Sequence, residues 1–487
     1  MATDWLTIEW FDPAVIIFAF IGWWILLRVW EANGVLDRWN ATRVFGFILM
    51  IRTERGKKTL EAISRPRAFW RIYGEVSLWI CQISMFLVLF LLLLAFFASL
   101  TTPSTTDPPS ASELVAIPGL NPVIPLGWGA MAFIIGLVIH EFGHGIQARA
   151  HGMRVRSFGL LMLGPLPLGA FAEPQGEELM KAPNRERLRL FAAGPSTNLF
   201  ACIICLLMLG GLAGQFIASQ PGLHAQGIVE ESGAADGGLN AFDTIVAIDN
   251  QSVASLADFD AVMKSHSAGD VVTIDIVRHD SGQSQQLVVN LSDKYQHYLD
   301  SGYDEETMKL YDIEPGDPFV GVVGLASNTY AVDNLAGPLS PNLDLDLKTK
   351  AVASPFHVIG LLITPFEFKG NAMHPIQEGM LAAGDGWFAQ TVGLDGLLFL
   401  VNLAFWLLWV NFLLGMTNLI PIIPFDGGHM MRDTLRDILK VIDRFGRRFN
   451  KWKIHPLRQE HIVMKTSSKS SLFLFLMVAI IIIIPYF

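Results

Sequence analysis

Apolar residues along this chain gather into long blocks, set apart by polar, charged or Gly- and Pro-rich stretches. Six blocks, at about 13–30, 75–99, 127–147, 189–216, 393–421 and 471–486, approach the roughly 20 residues needed to cross a bilayer as a helix. The pattern therefore predicts a polytopic α-helical membrane protein with about six transmembrane helices. No basic segment precedes the first block, so it reads as a retained span and not as a cleaved signal. A shorter apolar stretch, Val44 to Ile51, cannot cross and either lies in the interface or packs on the core. The stretch from His357 to Phe366 is also short and is expected at an interface.

Between 219 and 295 the period changes. Val271-Val-Thr-Ile-Asp-Ile-Val277 and Gln286-Leu-Val-Val-Asn290 alternate as strands. Asp249-Asn250 marks a hairpin turn, and Leu256, Phe259 and Val262 recur every three residues on one face of a short helix. With Gly238-Leu239, Asp243, Ile245, Ile248 and Val253 at their spacing, this β-rich module is similar to a PDZ domain. The resemblance implies either a module that binds a peptide ligand at a sheet edge or a structural cap. The chain thus divides into N-terminal helices with a loop (1–126), a first core part (127–218), the PDZ-like module (219–295), a linker or interfacial region (296–392), a second core part (393–430), and a basic loop with a last helix (431–487).

Composition agrees with this reading. The 487 residues are 52% hydrophobic and 16% charged, against about 25% charged in soluble domains. Cys81, Cys202 and Cys205 all lie in apolar blocks, which excludes a disulfide framework and a four-thiolate metal site. They read as small buried hydrophobes. Charge adds orientation. Nine Lys and Arg fall in 31–74, seven in 149–189 and eleven in 427–470, while 100–126 has none and 218–392, a much longer segment, has seven. Basic loops stay in the cytoplasm, so the N- and C-termini and the PDZ-like module are expected to be extracytoplasmic. The run Arg444, Arg447, Arg448, Lys451 and Lys453 suits anionic headgroups of the lipid bilayer or serves as a topology anchor. No nucleic-acid partner is expected.

The third block carries His140-Glu141-Phe142-Gly143-His144. Two histidines four apart stand one helical turn above each other and can reach one metal ion, with Glu141 displaced around the helix toward an attacking water. A Glu about 21 Å into a span is costly and serves no obvious structural need. Catalytic zinc sites usually hold three protein ligands, so one more is needed. Asp426 is the candidate, on backbone that Pro421 and Pro424 break and Gly427 and Gly428 let turn tightly. His429 is a rival ligand or a group behind the ligands.

His140-Glu141-x-x-His144, Gly194-x-x-x-Asn198 and Asn418-x-x-Pro421-x-x-x-x-Asp426-Gly427 lie on three spans in that order. They resemble the motifs of the site-2 protease family of intramembrane zinc metalloproteases. The resemblance covers about 127–216 and 393–430 and the inserted module; Phe425 stands where the family often has Leu. It implies that His140, His144 and Asp426 bind one Zn2+ per chain and that Glu141 is the general base. It also implies that Asn198 holds substrate or polarises the reacting carbonyl, although an Asn among small residues also serves as interhelical glue. Gly194, Asn418, Pro421 and Gly427 are then supporting residues. Single-span membrane proteins are the implied substrates, cut in regulated intramembrane proteolysis, with the active site toward the cytoplasmic side. The run from Phe158 to Ala172, broken by Gly and Pro, predicts a hairpin or re-entrant loop beside the metal site. It either offers a strand edge to an extended substrate or seals the core.

Overall fold

The computed structural model describes residues 13–54, 56–101, 110, 112–114, 116–164, 166–449 and 453–486. Pro165, Lys451 and most of the segment between 102 and 115 lie outside these. The chain forms two compact units, residues 1–205 with 406–487, and residues 206–405.

The first apolar block is helix α1 (Pro13–Ala32). Strands β1 (Ala41–Val44) and β2 (Ile48–Thr53) follow. The short stretch from Val44 to Ile51 is therefore a hairpin that packs on the core: Leu49 is buried with Leu27, Leu36 and Ala41. Helices α2 (Lys57–Ser64), α3 (Arg67–Thr101) and α4 (Leu126–Ala150) come next. Strands β3 (Val155–Leu163) and β4 (Leu166–Pro174) form the hairpin expected where Gly and Pro interrupt the apolar run. All four strands make one antiparallel sheet of order β1-β2-β3-β4, so β4 keeps a free edge within that sheet. Helices α5 (Gly176–Lys181) and α6 (Asn184–Ala213) close this half. The fourth expected span runs to 216, but the helix stops at Ala213, and Phe216 starts a strand.

Helix α3 shows how these helices choose their surroundings. One face buries Gly74, Ser77, Leu78, Cys81, Met85 and Val88. The opposite face exposes Trp79, Ile83, Phe86, Phe90, Leu94 and Phe97 at helical spacing. An apolar stripe of that length facing outward is stable only against lipid.

The second unit is built on strands β5 (Phe216–Ala218), β6 (Leu223–Ile228), β7 (Thr244–Ile248) and β8 (Gln251–Ser252), helix α7 (Leu256–Met263), and strands β9 (Val271–Val277), β10 (Ser284–Asn290) and β11 (Val322–Ser327). Its main sheet has the order β10-β9-β7-β6-β11, with β8 on β7. Alternation does the work expected of it: Val272, Ile274 and Ile276 of β9 are buried with Ile245, Ile248 and Val289. Asp249 and Asn250 take φ of 46° and 64°, as a two-residue hairpin turn of this hand demands. The sheet extends past the expected module end at 295, because β11 pairs along β6, Val322 opposite Ile228. A six-residue strand containing Gly324 carries little periodic signal. Further on, α8 (Leu347–Leu361) and the residues after it expose Val352, Phe356, Ile359, Ile363 and Phe366 at helical spacing, an apolar stripe where an interfacial segment is expected. Strand β12 (Leu381–Ala383) pairs with β5.

One buried polar network in this unit is sensitive to pH. The fully buried His224 donates from Nδ1 to Asn328 Oδ1 and accepts at Nε2 from Gln377 Nε2, both at 2.8 Å. Only the neutral ring can do both, and burial holds its pKa below the ordinary value. The unfolded chain then binds the extra proton first as pH falls, so the contribution is complete above about pH 6.5 and shrinks below it. Thermal unfolding of the whole protein should show a midpoint that drops on acidification, with a shallower drop in His224→Gln. Equal slopes would rule His224 out as the cause.

Helix α9 (Trp387–Asn418) contains a non-helical Gly393 with φ 74° and ψ 171°. It ends before Pro421. The segment expected as a basic loop is instead helix α10 (Asp426–Arg448). Its apolar residues Ile438, Val441, Ile442 and Phe445, with Phe449 just past its end, are exposed at helical spacing, scattered among charges and so invisible as a block. Helix α11 (Pro456–Ile483) begins well before 471, through a polar first half. Among the described residues five helices, α3, α4, α6, α9 and α11, are long and apolar enough to cross a membrane.

Candidate metal centre and active site

Helix α4 brings His140 and His144 together as their spacing requires, with their Nε2 atoms 3.1 Å apart. Asp426 Oδ2 lies 3.1 Å from His140 Nε2 and 3.3 Å from His144 Nε2. Among the described residues this is the one group of at least three His, Cys, Asp or Glu donors close enough to share an ion, with all donor atoms within 4.8 Å. The three side chains are 6%, 10% and 13% exposed. Burying a carboxylate and two rings head to head is costly unless a cation is shared among them.

Two details show that these residues fit a metal. His144 Nδ1 donates to Leu190 O at 2.8 Å. A carbonyl only accepts, so Nδ1 carries the proton and the Nε2 lone pair faces the cluster. The second detail is Gly194 of α6. A Cβ built there would sit 2.4 Å from His144 Nε2 and 2.6 Å from His140 Nε2. The absent side chain leaves space on the very atoms that would ligate.

Asp426 is placed by a sharp return of the chain. Helix α9 stops at Asn418, whose Nδ2 donates back to Leu414 O at 3.0 Å. Pro421 and Pro424 prevent its continuation, and α10 begins at Asp426 itself. There the unpaired amides of the first turn favour an anionic carboxylate. The return is tight: a Cβ on Gly427 would lie 2.3 Å from Leu419 O. A side chain at 427 would collide with the backbone of Leu419 and Ile420 and force the return apart.

Glu141 is gripped from the sheet. Its Oε2 accepts from the backbone amide of Ala172, on β4, at 2.6 Å. Its carboxylate and His140 line a cleft of about 400 Å³ whose other walls include Phe133, Leu137, Leu413 and Thr417. Asn198 stands one helical turn along α6 from Gly194, fully buried, with neither Oδ1 nor Nδ2 hydrogen-bonded. An unsatisfied buried amide costs about 1–3 kcal/mol per group, so its placement calls for a partner beyond the chain's own side chains. His429 is not brought to the cluster; its ring stacks on Phe191 at 4.7 Å. The contributions of the Ala172 amide and the Leu190 carbonyl have no signature in the sequence, because any residue but proline supplies the same backbone groups.

Comparison with known proteins gives an independent view. The model of peptidase family M50 matches residues 128–450. An uncharacterized protein of Methanocaldococcus jannaschii is 30% identical over 57% of this chain and 71% of its own length. The zinc metalloprotease Rip1 of Mycobacterium tuberculosis is 26% identical over 62% of this chain and 83% of its own. The solved PDZ domain of an SdrC-like protein from Listeria monocytogenes is 22% identical, with a TM-score of 0.16, over 22% of this chain and 90% of that domain.

Proposed function

Because this chain belongs to peptidase family M50 and is an intramembrane zinc metalloprotease, we propose that His140, His144 and Asp426 hold its zinc and that Glu141 is its general base. The observation that carries the assignment is the convergence of the three donor atoms within 4.8 Å, beside a carboxylate held by the Ala172 amide. Zinc supplies Lewis acidity, acidifying water to a pKa near 7 and polarising a carbonyl oxygen. Glu141 takes the proton from the attacking water through the oxygen it offers to the cleft. It then delivers that proton to the leaving amine. The Ala172 amide holds the carboxylate in place during both transfers. Asn198 has a free Nδ2 donor and offers it to the oxyanion that develops on the substrate carbonyl.

The substrates are single-span membrane proteins, cut in regulated intramembrane proteolysis. A substrate helix hides its carbonyls in hydrogen bonds, so it must unwind before cleavage. The free edge of β4, the strand that also grips Glu141, is suited to pair with the unwound segment. Gly194, Asn418, Pro421 and Gly427 support the ligands in the ways their contacts suggest. The bias of Lys and Arg supports an orientation with the active site toward the cytoplasm, and with both termini and the PDZ-like module outside. That module takes a peptide ligand at a sheet edge.

The test is cleavage of a model single-span substrate by the purified protein, with zinc measured in parallel. Asp426→Asn keeps the shape but weakens the charged donor, and zinc affinity should fall at least ~10-fold. Undiminished zinc in that variant would remove Asp426 from the ligand set. Asn198→Ala separates the two readings of that residue. An oxyanion donor predicts a loss of about 100-fold in kcat with stability unchanged or improved, since an unsatisfied amide is removed. Interhelical glue predicts a lower unfolding midpoint and nearly full kcat.

A further inference from the structure

A second cleft, of about 620 Å³, opens between the start of α6, α10 and α11, away from the metal ligands. Arg187, Arg436 and Glu460 are among its lining residues, and behind them lies the fully buried carboxylate of Asp433. Arg187 grips that carboxylate with Nε at 2.9 Å and Nη2 at 3.1 Å, and Arg436 with Nη1 at 2.5 Å. Arg436 also reaches Glu460 at 2.6 Å. These ion pairs fix two guanidinium groups in the wall. Two more cations on the same ridge of α10 are not so engaged. Arg432 has a buried Nε with no hydrogen-bond partner, and the nearest carboxylate oxygen, Asp433 Oδ1, is 3.9 Å away. Lys440 is half exposed, its one ion pair being with Asp437, one turn back on α10, at 3.2 Å. Residues 432, 436 and 440 lie four apart, so they stand in one row along the helix.

We propose that this cleft binds a phosphate group through Arg432 and Lys440, with Arg187 and Arg436, already paired with Asp433 and Glu460, as its rigid wall. A guanidinium offers several donors in a planar fork that matches phosphate oxygens, and its buried, unpaired Nε gains a partner when an anion enters. The surroundings point to a lipid headgroup as the source. The cleft is lined by Asn184 and Glu460, in the polar first turns of α6 and α11, two helices that run on as apolar spans. Its lining includes Met180, which is 81% exposed. An apolar side chain held outward beside a cationic hollow suits the boundary between acyl chain and headgroup. Inorganic phosphate shares the chemistry without the acyl chains.

The experiment uses the full chain in nanodiscs of phosphatidylcholine, with or without one-fifth phosphatidic acid. Phosphatidic acid retained after transfer to detergent is counted by mass spectrometry. Binding of radiolabelled inorganic phosphate is measured on the phosphatidylcholine discs. Arg432→Gln combined with Lys440→Gln is compared with Arg444→Gln combined with Lys453→Gln, which removes the same charge at exposed positions that do not line the cleft. Loss of about tenfold in retained phosphatidic acid in the first variant only, at an unchanged unfolding midpoint, supports the site with a lipid occupant. Binding of inorganic phosphate with the same variant dependence, and no retained phosphatidic acid, supports the site with a soluble occupant. Equal losses in both variants, or no binding of either probe by the wild type, overturn it.

Discussion

Glu141→Gln should hold about as much zinc as the wild type and lose at least ~1000-fold in kcat/KM on a single-span substrate. The two halves of this expectation come from different atoms. The proposed zinc donors are His140 Nε2, His144 Nε2 and Asp426 Oδ2, and none is touched by the change. Gln has the same length as Glu, and its Oε1 can still accept from the Ala172 amide, now at 2.6 Å from the carboxylate. Position is therefore kept while the capacity to take a proton is lost. Zinc content by mass spectrometry and cleavage rate on one preparation check both halves. A Gln variant that still cuts at more than a tenth of the wild-type rate would mean that another group accepts the proton. A variant that loses zinc would instead make Glu141 part of the metal shell.

Much of this site is legible in the sequence because side-chain chemistry at fixed helical spacing is a local property. His140 and His144 share a face for the same reason in any α-helix, and Pro421, Pro424, Gly427 and Gly428 announce a break wherever they occur together. The alternating strands near 245, 274 and 289 are legible for the same reason. What the sequence hides is non-local or carried by backbone. The hairpin at 41–53 contributes half of the sheet that ends in β4, yet its pairing with β3, Leu49 opposite Met162, depends on a segment over a hundred positions away. Helix α10 is hidden differently. Asp433 and Arg436 satisfy one another and Arg187, so charges that look like a solvated loop are internal to a packed helix. Strand β11 joins its sheet across a long excursion, and Gly321 and Gly324 mask its periodicity. In each case the missing information is which distant surface a segment meets.

The same contrast makes Gly194→Ala the sharper test of the metal site, because the change adds one methyl group and removes no ligand. In an exposed helix interior it would be favourable by about 1 kcal/mol. Here the new Cβ would sit 2.4 Å and 2.6 Å from the two Nε2 atoms, closer than real carbon–nitrogen contacts allow. The neighbours are stiff. The His144 ring is pinned by its bond to Leu190 O, which lies on α6 itself, so ring and methyl group cannot separate without breaking that bond. The rings must turn or α6 must move, and a misplacement of about 1 Å near reacting groups costs on the order of 100-fold in rate. Zinc content should fall with activity, while the unfolding midpoint stays near that of chelator-treated wild type. Gly211→Ala, on the same helix with nothing within 4 Å of the added carbon, should leave zinc and cleavage unchanged. If Gly194→Ala retained stoichiometric zinc and cut within twofold of the wild type, α6 would not press against the ligand atoms. The ligand arrangement argued from His140, His144 and Asp426 would then have to be drawn again.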